Sequence, residues 1–176
     1  RFLRRAIESI LNQTYPNIEY MVMDGGSKDE SVEVLKSYGD RFPWVSERDK
    51  GQTDAVKKGF ARGHGEILAF VNSDDELLPH AVETVVRYFQ EHPEVDMVYG
   101  KAYYTDEDNR IIGMYNTDDY SFTRLVWDNP VCQPAAFWRK RIAEKIGEWN
   151  ADLHYAMDHE YWMRIDRAGG KIVHIP

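Results

Sequence analysis

The chain has 176 residues, 43% hydrophobic and 30% charged, with a formal net charge of −8 at pH 7, which fits one soluble domain with a real core. The acidic balance excludes a general nucleic-acid binder, though not a local basic pocket; no apolar run approaches the ~18 residues that span a bilayer, and no signal peptide opens the chain. Cys132 is the single cysteine, so an internal disulfide and a multi-cysteine zinc site are excluded. A reducing compartment, the cytoplasm, is the simpler reading, with peripheral membrane attachment left open.

Phe2, Leu3, Ala6, Ile7, Ile10 and Leu11 lie on one helical face, so a helix is predicted over 1–13, ending before the turn signal Tyr15-Pro16-Asn17. Because Arg1 opens the chain inside that helix, the sequence reads as a piece of a longer protein. Residues 18–23 (IEYMVM) predict a buried strand, broken by Asp24-Gly25-Gly26-Ser27. Ser27 with Glu30 fits a capping box opening a helix through Val32, Leu35 and Tyr38. Residues 44–46 predict a weak strand. Thr53 or Asp54 is expected to cap a helix carrying Ala55, Val56, Gly59 and Phe60. A strong strand follows at 67–71, then the acids of NSDDE, then a helix carrying Val82, Val85, Val86 and Phe89 that ends at His92-Pro93.

The second half changes character. Residues 96–100 and 101–105 are β-like, and the polar turn Asp106-Glu107-Asp108-Asn109 precedes a strand at 111–115, together predicting an added hairpin. A short helix at 122–127, a strand at 135–139, a helix at 158–168 and a last strand at 171–175 complete the reading. The alternation of strands and helices implies an α/β fold with a mostly parallel sheet and helices on both faces.

In such sheets ligands bind beyond the carboxyl ends of the strands. Two strands end there in acids: one gives Asp24 and Asp29 on a glycine-bearing loop, the other Asn72, Asp74 and Asp75. Carboxylates gathered at one edge suit magnesium or manganese, which commonly keep phosphate and water as further ligands. Each motif has a bland counterpart. Ser73 or Asp74 can cap a helix, Gly25-Gly26 can be a tight turn, and Asp158 can be an N-cap or a charge favourable to a helix dipole. His154 and His159 are five apart, a poor spacing for one metal on one helical face. The segment 106–109 lacks the glycine and distal glutamate of a calcium loop and reads as a solvated turn. Arg48, Lys50 and Lys57 can balance phosphate or be solvated charges. Trp127, Trp138, Trp149 and Trp162 can offer faces for sugar stacking; one or two of the four are expected to do so and the others to lie in the core.

The blocks VMDGGSKDES, SERDKGQTDAVKKGFARGHGEILAFVNSDDELLP, CQPAAFWRK and LHYAMDHEYWMRI occur in that order. Together they resemble the family 2 glycosyltransferases with a GT-A fold, over essentially the whole chain. The resemblance implies an inverting, metal-dependent enzyme using a nucleotide-diphosphate sugar. It matches Asp24 with the acid that reads the base, with Gly25 and Ser27 on the same loop, and Asp29 with the acid at the end of that loop. It matches Asp74 with the metal-binding acid of the DXD motif, Asp75 with a neighbour near the ribose or sugar, and Asp158 with the catalytic base. Asp54, Asn72 and Ser73 join the donor-binding set, and Gln133 and Arg164 the sugar or acceptor side. The implied cofactor is Mn2+ or Mg2+, the favoured donor a UDP-sugar, and the acceptor a glycan or lipid-linked hydroxyl in cell-surface polysaccharide or glycan synthesis.

Two features depart from the family. The first DXD position is Asn72, and the family's opening strand does not precede the first helix. The chain is therefore expected to be a single catalytic domain lacking its first strand, with a donor half at 1–95 and an acceptor half with the base at 96–176. The same acidic edge would also serve a nucleotidyltransferase or pyrophosphatase-like enzyme, or a non-catalytic nucleotide-sugar-binding module. Asp158 discriminates, because a binding module has no need of it.

Overall fold

The computed structural model describes residues 2–175. The first half alternates helix and strand: α1 (Phe2–Leu11), β1 (Val22–Asp24), α2 (Ser31–Lys36), β2 (Trp44–Ser46), α3 (Gln52–Phe60), β3 (Ile67–Leu68) and α4 (Ala81–Glu91). The second half contains β4 (Met97–Tyr99), β5 (Tyr103–Thr105), β6 (Ile111–Met114), α5 (Phe122–Asp128), a 3-10 turn at Gln133–Ala135, β7 (Ala136–Arg139), α6 (Lys140–Ile146), α7 (Met157–Arg167) and β8 (Ile172–His174). These elements pack as two compact units. One comprises residues 2–65, 72–83 and 148–157, the other 66–71, 84–147 and 158–175.

In the first unit β1 and β2 pair in parallel, Val22 opposite Trp44 and Asp24 opposite Ser46. A parallel pair needs a crossover, which α2 supplies. The core beneath them gathers Ile7, Leu35, Tyr38 and Phe42, with Leu3, Leu11, Tyr20, Val22 and Trp44 packed around it. Leu3, Ile7 and Leu11 recur at helical spacing, so one face of α1 is buried. Ile7 and Leu35 are fully buried, each contributing about 1.5–3 kcal/mol.

The second unit is built on a sheet of order β3-β7-β4-β8. β4 is buried at all three positions. It pairs antiparallel with β7 and parallel with β8, and β3 pairs antiparallel with β7. This sheet is thus mixed, which refines the expectation of a mostly parallel one. The chain leaves β4, makes its excursion through β5, β6 and α5, and returns directly along β7; an antiparallel return needs no crossover helix. Trp138 and Trp162 meet edge to face at 5.1 Å, and Tyr161 lies edge-on to Trp162 at 5.8 Å, the arrangement favoured by ring quadrupoles.

The expected hairpin is present as the antiparallel pair β5–β6. Its turn is closed by the Asp106 carboxylate, which accepts from the amides of Asp108 and Arg110.

Several local expectations are corrected. Ser27 and Glu30 form no capping box: α2 starts at Ser31, Glu30 makes no side-chain cap bond, and Ser27 Oγ donates to Asp24 Oδ1 at 2.5 Å instead. Neither Thr53 nor Asp54 caps α3, which starts at Gln52 after Gly51, whose φ of 121° suits only glycine. β3 stops at Leu68 rather than Val71; the Phe70 carbonyl accepts from Gln133 Nε2 at 2.6 Å, so a side chain takes the place of a ladder partner. α6 was not anticipated, although Gly147, at φ 83°, marks its end.

Candidate functional site

The donor-side residues of the sequence reading all fall in the first unit. Asp24 is the last residue of β1, and its carboxylate organises the loop that follows. Oδ2 accepts from the amides of Gly26 and Ser27, both at 3.1 Å, and from Ser46 Oγ at 2.6 Å. Oδ1 accepts from Ser27 Oγ. Burial opposes ionisation of this carboxyl. The hydroxyls of Ser27 and Ser46 and the two amides outweigh it and hold the group below the usual aspartate range. Ser46 was not foreseen as a partner. It ends β2 opposite Asp24, and only the pairing register brings the two together. Asp29 accepts from the Ser31 amide at 3.0 Å, at the start of α2.

Gly25 sits against the segment after β2. A Cβ there would lie 2.5 Å from Asp49 Oδ2, so only glycine lets Asp49 approach. Asp49 in turn accepts from the Gly51 amide at 3.0 Å. Asp54 accepts from the Lys50 amide at 3.2 Å and pairs with Lys58 at 3.1 Å. Lys57 pairs with Glu148 at 2.6 Å. That cation is therefore already matched to a carboxylate.

Gln52, at the start of α3, links this segment to the NSDD turn: its Nε2 donates to Asn72 Oδ1 at 2.5 Å. Asn72 Nδ2 donates to Asp75 Oδ2 at 3.0 Å. Residues 73–74 form a turn, with the Asp75 amide donating to the Asn72 carbonyl at 3.2 Å. Neither Ser73 nor Asp74 caps a helix. Asp75 is half-buried, and burial, with the Asp74 charge beside it, raises its carboxyl above the usual range despite the bond from Asn72. Asp74 is exposed at the turn. Among the described residues no hydrogen bond or ion pair engages its carboxylate, whereas Asp24, Asp29, Asp49, Asp54 and Asp75 all bond to protein groups.

This donor set fits a magnesium or manganese ion of the kind the resemblance implies. Among the described residues no group of three or more His, Cys, Asp or Glu side chains converges, so an all-protein cage is not built. Such ions commonly take one or two carboxylates and complete their shell with phosphate and water. An exposed Asp74 with Asp75 beside it offers that.

The remaining residues lie in the second unit. Asp158 is in the first turn of α7 without being its cap, since the helix begins at Met157. There a carboxylate is favoured by the helix dipole. Its charge and that of Asp128 both reach Tyr115, whose hydroxyl is raised first by burial and donates to the Asn129 carbonyl at 2.9 Å. Beside Asp158, His159 Nε2 donates to the Leu125 carbonyl. Gln133 is held on the Phe70 carbonyl. Arg164 donates to the Ile146 carbonyl at 2.9 Å and pairs with Glu160 at 2.8 Å; this engagement is structural. Trp138 and Trp162 are buried in this unit and Trp127 is 84% exposed, while Trp149 is buried in the first unit.

The family model for glycosyl transferase family 2 matches residues 1–154. The chain belongs to glycosyl transferase family 2. It is 30% identical over 158 residues to an uncharacterised glycosyltransferase of Nostoc sp., covering 83% of this chain and 49% of that protein. It is 28% identical over 169 residues to the PGL/p-HBAD biosynthesis glycosyltransferase of Mycobacterium tuberculosis, covering 92% and 63%. The chain thus spans between about half and under two-thirds of the length of these relatives. Among solved structures, TarS of S. aureus superposes with a TM-score of 0.76 at 16% identity, over 99% of this chain and 33% of TarS. The mannosyltransferase PcManGT of Pyrobaculum calidifontis, solved with GDP-Man and Mn2+, superposes with a TM-score of 0.74 at 16% identity, over 99% of this chain and 51% of that one. The fold is that of the GT-A glycosyltransferases.

Proposed function

We propose that this chain forms the donor-handling and catalytic part of an inverting glycosyltransferase. It moves a sugar from a nucleotide diphosphate to an acceptor hydroxyl. The observation that carries this reading is the linked acidic wall of the first unit. Asp24, Ser46 and Ser27 close one loop, Asp49 packs on Gly25, and Gln52, Asn72 and Asp75 connect onward to an exposed Asp74. Family membership supports the same chemistry. A UDP-sugar is the favoured donor: TarS has been solved with UDP-GlcNAc, while the GDP-Man complex of PcManGT makes a guanosine donor the competing choice. The acceptor is a glycan or lipid-linked hydroxyl, as in cell-surface glycan synthesis.

The roles follow from the local chemistry. Asp24 keeps Oδ1 with a single protein donor, so it has capacity to accept an N–H from the base. Asp74, with Asp75, would hold a divalent cation. That ion supplies Lewis-acid stabilisation of the negative charge developing on the diphosphate. Gly25 and Ser27 shape the loop around the nucleotide, Asn72 and Ser73 face the ribose or sugar, and Asp54 holds the α3 end of the donor wall. Gln133 serves the sugar or acceptor side. Arg164 serves that side indirectly, by bracing α7 against the end of α6. Asp158 takes the proton of the acceptor hydroxyl as its oxygen bonds to the anomeric carbon and the diphosphate leaves with the C–O electron pair. A single base suffices for inversion.

In the full-length protein Asp158→Asn is expected to lower kcat by about 10²–10⁴-fold, the range for removing a general base. Calorimetric affinity for UDP should stay within about twofold of wild type. Unchanged turnover removes Asp158 from the mechanism, and turnover absent from the wild type under every donor leaves a binding module.

A further inference from the structure

Thr53 is the one buried polar or charged residue among those described, at 3% exposure. Its position in α3 would suit an alanine as far as helix propensity goes. Its hydroxyl is instead spent on a segment about a hundred residues away in sequence. Thr53 Oγ1 donates to the Leu153 carbonyl at 2.7 Å, and the Met157 sulfur sits 2.8 Å from the same oxygen. A hydroxyl has one proton, and the carbonyl is the stronger acceptor.

The rest of that face of α3 and its approach are given to the same segment. Lys57 pairs with Glu148, and Phe60 stacks on Trp149 with ring planes 6° apart at 6.0 Å. Thr53, Lys57 and Phe60 follow helical spacing, so they project from one side. Gly51, just before α3, lies where a Cβ would come within 3.5 Å of the His154 ring. The held segment is conformationally costly. Ala156 has a φ of 52°, a left-handed conformation for a residue with a Cβ. Such conformations persist only when surroundings enforce them, and they gather at functional positions. The next residue, Met157, opens α7, and Asp158 follows it in the first helical turn.

We infer that Thr53 is a positioning residue for catalysis: its hydroxyl pins the 153–157 turn that leads into the first turn of α7, where Asp158 stands. The inference rests on Asp158 being the base proposed above. It links the helix that carries the donor-side Gln52 and Asp54 to the segment leading into the base, with Thr53 touching neither donor nor acceptor. A hydroxyl needed only for burial would be replaceable by a methyl. A hydroxyl needed for the turn would not be.

The test uses the full-length protein and three variants. Thr53→Val keeps the shape and removes the proton, Thr53→Ser keeps the proton and removes the methyl, and Asp158→Asn removes the base. Thr53→Val is expected to lower kcat about tenfold, with KM for the donor and calorimetric Kd for UDP within twofold. Thr53→Ser should recover most of kcat. Amide exchange by mass spectrometry should quicken at 153–157 in Thr53→Val and stay near wild type in Thr53→Ser. If Thr53→Val does not fold, Thr53→Ser still decides: serine turnover and exchange near wild type support the inference, and serine behaving as a tenfold-impaired enzyme overturns it. Wild-type kcat in Thr53→Val, or parallel losses of kcat and UDP affinity, would also overturn it. Should Asp158→Asn keep full turnover while Thr53→Val loses it, the base assignment fails instead, and the 153–157 turn serves another group.

Discussion

At the scale of single residues, Asp74 and Asp75 show how neighbouring acids divide their tasks. Asp74 is exposed at the turn, and Asp75 is half-buried behind it, accepting from Asn72. Burial raises the Asp75 carboxyl above its ordinary value of 3.8. A raised carboxyl means the folded state holds its proton more tightly than the unfolded chain. Stability from this group is present below the unfolded value and lost as pH rises through the folded one. Ionising this carboxyl therefore costs stability in the folded protein. Asp75→Asn should raise Tm by about 2 °C in the absence of metal, because an asparagine Oδ1 still accepts from Asn72 without the charge. Asp74→Asn should leave Tm unchanged and abolish the gain in UDP affinity that manganese gives. Calorimetry with and without EDTA reads the second effect, and UDP affinity indifferent to EDTA in the wild type would remove the metal role.

At the scale of elements, the informative features are the ends of strands and the close approaches between loops. The β1 and β2 strands end together at Asp24 and Ser46, so the loop after one is tied to the segment after the other. Gly25 is the tightest point, with Asp49 where a side chain would go. Gly25→Ala forces Asp49 aside, and Asp49 also holds the Gly51 amide ahead of α3. The expected result is a loss of UDP affinity of about tenfold, on the order of 1.4 kcal/mol, with Tm lowered by no more than about 3 °C. Calorimetry and a thermal melt separate this from general unfolding. The spacing of apolar residues announced α1, α4 and α7, because a buried helical face repeats every three to four residues. It missed α6, seven residues long, where the pattern scarcely completes two turns.

At the scale of the whole molecule, the titrating groups pull on stability from both ends of the pH range. Hydrogen bonds from His64 lower Glu19, those from Ser31 lower Asp29, those from Lys58 and the Lys50 amide lower Asp54, and that from Lys171 lowers Glu94. Asp24 is lowered by Ser27 and Ser46 against the opposing effect of burial. A lowered carboxyl contributes stability above its unfolded value and loses it as pH falls through the folded one. Burial acts in the other direction on six tyrosines, Tyr20, Tyr38, Tyr99, Tyr115, Tyr120 and Tyr161, of which Tyr99 and Tyr161 are each pushed up from 10.0 to about 12. The contribution of these two is whole below 10.0 and drains as pH rises toward 12. Urea unfolding should therefore show a plateau at neutral pH, with midpoints falling below about pH 4 and again above about pH 10. A midpoint that keeps rising into acid would contradict these assignments.

What the sequence determined by itself was the alternation of helices and strands, the added hairpin, and the family blocks that single out Asp24, Asp74 and Asp158. Periodicity and short motifs carry those because they are local. The tertiary structure alone decided which carboxylates are spent. Ser46 on Asp24, Asp49 against Gly25, Gln52 on Asn72 and Thr53 on Leu153 join residues from about twenty to a hundred positions apart. No spacing rule reaches that far. Their meeting depends on strand register and on which helix face is turned inward, and both are settled only when apolar faces are buried together. The same packing turned the expected caps at Ser27, Thr53 and Asp54 to other uses, since a hydroxyl or carboxylate bonds whichever donor or acceptor the fold brings to it.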